Sequence, residues 1–97
     1  MPVYVAVIKR KVILAFYAED GLGAGRRMHE PLVRDDLMTL TTGGIPLWDG
    51  VTEIAVREAF LGEEACWRAS RAKAIRQGNT DDEDDTWIAF LVPLGNV

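Results

Sequence analysis

Three glycines and two arginines, Gly21-Leu22-Gly23-Ala24-Gly25-Arg26-Arg27, follow an apolar stretch as a phosphate-binding loop would. A dinucleotide fingerprint needs a further small residue three places after the second glycine, where a helix opens. Arg26 stands there instead, and no Lys-Ser or Lys-Thr pair follows to make a P-loop. The stretch therefore reads as a glycine-rich loop from Ala18 to Gly25, with Arg26 and Arg27 as candidate anion-binding residues.

The run Asp81-Asp82-Glu83-Asp84-Asp85 has the residue type for calcium but not the spacing. An EF-hand loop opening at Asp81 needs glycine at its sixth place and glutamate at its twelfth, where Thr86 and Val92 stand. It reads as a solvated connection. Cys66 and His29 could form a nucleophile–base pair, yet Cys66 falls inside a helical pattern, away from the activating N-terminus. It reads as a small, partly buried filler, and His29 as a surface residue. The lone serine, Ser70, has no elbow motif around it. Glu53, Glu58, Glu63 and Glu64 read as exposed charges rather than tuned acids. No catalytic, cofactor-binding or metal-ligating residue is assigned, and no cofactor is expected.

Arg68, Arg71, Lys73 and Arg76 make the best case for nucleic acid, but on a helical wheel they split into two flanks instead of one face. Basic stems in such places usually cover apolar surface while their charges reach water. The formal charge of −4 also gives no overall attraction to nucleic acid or anionic membranes. Neither is expected as a partner. A single cysteine excludes an intrachain disulfide and zinc sites built on paired cysteines. The apolar runs Val3–Ile8 and Val12–Ala18 are interrupted by Lys9-Arg10-Lys11, which breaks any signal-peptide core or membrane span. A soluble cytoplasmic protein is expected.

The elements that must position these residues follow from periodicity. At 97 residues the chain suits one domain, 1–97. Val3–Ile8 and Val12–Tyr17 are apolar at both parities, as strands covered on both faces are. A hairpin at Lys9-Arg10-Lys11 is favoured over one long strand, although no Gly, Asn or Asp is there to supply positive φ. A helix from Pro31 to Leu40 should end at Gly43-Gly44. Asp49-Gly50 predicts a hairpin turn joining Ile45–Trp48 to Val51–Ile54. Thr52–Glu58 reads as a strand, 61–77 as the longest helix, and Thr86–Val92 as a central strand stopped by Pro93.

On that long helix Leu61, Ala65, Ala69, Ala72 and Ile75 gather on one side, which is expected to face the sheet with Arg68 in its middle. Trp67 then points away. The expectation is an α+β domain: a small mixed β-sheet of three to four main strands with two helices, including a β-α-β unit at residues 52–92. Two helices on one face would leave the other sheet face bare, and exposed apolar surface of that size marks an interaction site. The leading reading is a non-enzymatic protein–protein interaction module that self-associates, as a homodimer formed through sheet faces or edges or with a protein partner, with Trp67 or Trp87 contributing. The alternative is a small ligand- or anion-binding subunit, with or without enzymatic activity, sited near Arg26 and Arg27. Nucleic-acid binding through the basic helix ranks third.

Overall fold

The computed structural model describes residues 2–81 and 86–94. Its main sheet is built from β1 (Val3–Ile8), β2 (Lys11–Tyr17), β5 (Ala55–Glu58) and β6 (Ile88–Phe90) in the order β5-β1-β2-β6. A two-residue ribbon pairs β3 (Thr41–Thr42) with β4 (Ile45–Pro46). Among the described residues three helices complete the α+β fold: α1 (Gly21–Met28), α2 (Pro31–Thr39) and α3 (Leu61–Arg76). Among the described residues no helix is long and apolar enough to cross a membrane.

The β-α-β unit of residues 52–92 is present as β5-α3-β6, but the sheet is antiparallel at every pair, not mixed. The reason is where α3 takes the chain. It packs against β1, β2 and β6, carrying the chain from one edge of the sheet to the other. Strand β6, expected to be central, therefore pairs with β2 alone and forms an edge.

The N-terminal hairpin forms where the apolar runs break. Lys9 and Arg10 themselves take φ of 53° and 66°, a left-handed conformation that costs a residue with a Cβ about 1–2 kcal/mol. The register slips between Ala6 and Val7, so that Ala6 faces Leu14 while Val7 faces Val12. Ile13 is the extra residue of this bulge, and it joins Leu14 in the same core cluster.

Both faces of the sheet are covered. One face meets α1, α2 and the β3–β4 ribbon, through Phe16, Leu14, Ala24, Met28, Leu37 and Trp48. The other meets α3 through Val3, Val5, Ala15, Ala89 and Trp67. The bare sheet face expected from two helices on one side is thus absent, because α1 supplies a third helix and α3 lies opposite the other two.

That third helix replaces the expected glycine-rich loop. Asp20 caps it, Oδ1 accepting from the Gly23 N–H at 2.7 Å. Ala24 and Met28, four residues apart, are buried on the sheet, and this burial outweighs the glycines' poor propensity. Helix α2 ends at Leu40, ahead of Gly43 and Gly44, which take φ of 59° and 81° at the ribbon's tip. The Asp49-Gly50 pair closes no hairpin. Its Oδ1 accepts from the Val51 and Thr52 N–H groups at 2.9 and 2.7 Å, and Oδ2 from the Thr52 hydroxyl at 2.6 Å. The Trp48 indole donates to the Thr52 carbonyl at 2.6 Å, with the Arg34 guanidinium 5.2 Å from its ring centroid.

Candidate functional site

Helix α3 is turned over relative to its expected orientation. Trp67 is 1% exposed and sits against the sheet, while Ala65, Ala69 and Ala72 face solvent with Arg68. The Trp67 indole donates to the Trp87 carbonyl at 3.0 Å, and the half-buried Trp87 donates to the Ser70 hydroxyl at 3.0 Å. These two residues, proposed as interface anchors, fasten α3 to β6 from beneath. Arg71 lies over the Trp67 ring at 5.8 Å. Arg68 reaches back one turn to Glu64 at 3.1 Å, the i,i+4 pair its spacing predicts. Cys66, expected to be partly buried, is exposed, about a quarter-turn of the helix from Trp67.

The junction of β5 and α3 presents the most organised surface of the molecule. Ala59 donates to the Val3 carbonyl at 2.8 Å, which fixes the chain immediately before Phe60. Phe60 occupies the N-cap of α3, a position that favours short polar side chains. Its N–H donates to Glu63 Oε1 at 2.8 Å, the returning half of a capping box. The Arg57 guanidinium grips both Glu63 oxygens at 2.8 and 2.9 Å and lies 4.2 Å from the Phe60 ring centroid. The bidentate bond from Arg57 holds the Glu63 carboxyl below the usual range, and Glu63 raises the Arg57 guanidinium in return.

This lattice holds an aromatic ring outward. Phe60 is 67% exposed and Leu61 86%. Beside them lies a shallow groove of about 460 Å³ lined by Val12, Phe60, Gly62, Glu63, Cys66 and Leu91. The sequence pattern sets Leu61 on the sheet-facing side of α3 and assigns Phe60 no role, whereas the structure exposes both. The available signal was an aromatic residue where a helix N-cap normally carries a hydroxyl or carboxyl.

The arginines proposed for anion binding lie in the last turn of α1. Arg27 donates from Nη1 to the Tyr17 carbonyl at 3.0 Å and from Nη2 to the Thr86 carbonyl, with its guanidinium 5.5 Å from the Phe16 ring centroid. It ties α1 to the strand ends. Arg26 is exposed and shares with Arg27 the rim of a cavity of about 480 Å³, which Glu19, Asp20 and Glu30 also line. Three carboxylates against two guanidiniums give that cavity no positive bias. His29 is exposed, its Nδ1 2.7 Å from the Gly25 carbonyl.

Of the acidic run, Asp82 to Asp85 lie outside the described residues. Among the described residues no cluster of His, Cys, Asp or Glu side chains is placed to hold a metal ion. The architecture is a four-stranded antiparallel sheet between two helical layers. No protein-family model, curated protein or solved structure matches the chain.

Proposed function

We propose that the protein is a non-enzymatic interaction module that self-associates through Phe60, Leu61 and the outer face of α3. The observation that carries this reading is the exposed Phe60 ring, stacked on Arg57 and fixed through Glu63 beside an apolar groove. A ring already held in place loses little freedom on binding, and aromatic anchors next to pockets dominate association energies. Knob and groove on one patch suit an isologous two-fold contact, in which each copy's Phe60 enters the other's groove.

The outward Ala65, Ala69 and Ala72 let the two copies of α3 approach closely. Trp67 and Trp87 contribute from below, by holding α3 to its sheet. The single exposed thiol of Cys66 suits a reducing compartment such as the cytoplasm. Anion binding near Arg26 and Arg27 is the weaker alternative, given the carboxylates around them. Nucleic-acid binding along α3 is weaker still, since Arg71 lies over Trp67 and Arg68 pairs with Glu64.

Sedimentation velocity on the full chain tests the proposal. A dimer is expected at micromolar concentration, dissociated by Phe60→Ser and by Leu61→Glu. A monomer throughout, or a dimer indifferent to Phe60 and Leu61, would overturn the reading.

A further inference from the structure

A second cleft, on the opposite face of the sheet from α3, lies between the tip of the β1–β2 hairpin and the β3–β4 ribbon. Ile8 and Ile13 form its floor, Leu47 its wall, and Ile45 and Pro46 its overhang, enclosing about 280 Å³. The bulge in β2 creates this floor, since it is the extra residue, Ile13, that turns inward beside Leu14. Thr42 supplies the lining's only hydroxyl. Ile45 is 69% exposed at the overhang, an apolar side chain left in water at the cleft's edge.

The mouth is cationic although the chain as a whole carries −4. Lys9 and Lys11 line it, with Arg10 between them in the turn. Lys11 is registered opposite Ile8 and so belongs to the sheet face over which the cleft opens. The one carboxylate present, Asp49, meets Lys9 at 3.4 Å and already accepts from Thr52 and Val51. Those bonds, the Thr52 hydroxyl's first, hold its pKa far below the usual carboxylate range, so it stays ionised and partly offsets Lys9. The turn keeps two cations in left-handed conformations where Asn-Gly would sit without strain. Outliers of that kind concentrate where function requires them.

We propose that this cleft binds a free medium-chain fatty acid, with the alkyl tail on Ile8, Ile13 and Leu47 and the carboxylate at Lys11 and Lys9. The apolar lining rules against a phosphate or a sugar, which would leave polar groups unpaired. A peptide would bring main-chain groups that Thr42 alone cannot satisfy. A partly open space of about 280 Å³ suits a medium-chain alkyl tail, and decanoate serves as the probe. This site is independent of the α3 surface, so either proposal can fail alone.

The test is a titration of the full chain with decanoate below its micelle range, followed by methyl resonances of Ile8, Ile13, Ile45 and Leu47. Saturable shifts at these methyls are expected, with acetate giving none. Decanol and decyltrimethylammonium should each bind at least about tenfold more weakly, as loss of a charge-assisted bond implies. Lys11→Glu, an exposed change, should weaken decanoate by a similar factor, and Ile45→Asp should do the same with the fold intact by circular dichroism. Absence of saturation, equal binding of the neutral or cationic amphiphile, insensitivity to Lys11→Glu, or shifts confined to the Phe60 groove would each overturn the assignment.

Discussion

The two faces of the central sheet are covered in opposite ways. One is roofed by several short pieces, α1, α2, the β3–β4 ribbon and the Trp48 segment, whose buried side chains interlock in one cluster. The other is roofed by α3 alone, which fully buries one large side chain there, Trp67. Many pieces share the load on the first face, so the loss of one contact can be absorbed by its neighbours. On the second, one indole carries most of the attachment, with Ala74 and the Trp87–Ser70 bond beside it, and the alanine side of the helix faces outward. A single-helix layer thus produces both a vulnerable core and an available surface.

The sharpest way to break that comparison is to empty each core in turn. Trp67→Ala should lower stability by about 3–5 kcal/mol in denaturant unfolding, because nothing else on α3 can fill the space or replace the bond to the Trp87 carbonyl. Leu37→Ala should cost about 2–3 kcal/mol, low in the range for a buried leucine, since several neighbours can relax into the hole. Equal losses would mean that the two layers are held alike. Hydrogen exchange on the Trp67→Ala protein should show α3 amides opening first while β1 and β2 stay protected.

The inversion of α3 also shows what the sequence could reveal. Strand runs, the N-terminal hairpin and the extents of α2 and α3 follow from apolar periodicity and chain breaks. The direction α3 faces does not, because two arcs of the same helix compete. Burying three alanine methyls is worth about 2–3 kcal/mol at ~0.8 per carbon. One indole, covering roughly 150–250 Å² at about 25 cal/mol/Å², is worth about 4–6 kcal/mol. Counting apolar positions favours the alanine arc, yet its middle offers only methyls beside Arg68, and the structure buries Trp67 with Ala74 instead. Helix α1 was illegible for a related reason. Its glycines argue against a helix locally, and only the tertiary contact of Ala24 and Met28 with the sheet reverses that. At the candidate site, the Arg57–Glu63 pair spans a strand and a helix whose relative placement no spacing rule supplies.

That pair offers a smaller effect with a definite pH signature. Glu63→Gln should cost about 1 kcal/mol near neutrality, as for one partly exposed charge-assisted pair. The folded pKa of Glu63 lies below the ordinary value, depressed first by the bond from Arg57. The stabilisation is therefore complete above the unfolded pKa of about 4.3 and fades as pH falls through the lower folded pKa. Wild-type and Glu63→Gln stabilities should converge on acidification and separate above that window. A gap that widened toward acid would show that Arg57 does not hold Glu63 as described. Since Arg57 also supports Phe60, the variant should weaken self-association too.

The smallest expected effect is the most discriminating about orientation. Arg68 has its side chain 52% exposed and meets Glu64 at 3.1 Å on the solvent side of α3. Exposed i,i+4 pairs contribute about 0.3–0.5 kcal/mol and are screened by salt. Arg68→Ala should therefore change unfolding free energy by no more than about 0.5 kcal/mol, and by less still at high salt, where the pair contributes least. Were Arg68 instead set in an alanine face against the sheet, its removal would relieve or expose a buried charge and shift stability by several times that amount. A near-silent Arg68→Ala beside a severe Trp67→Ala fixes the helix with its indole inward. The opposite pattern would turn α3 over, withdraw its outer face from solvent, and remove the surface on which self-association depends.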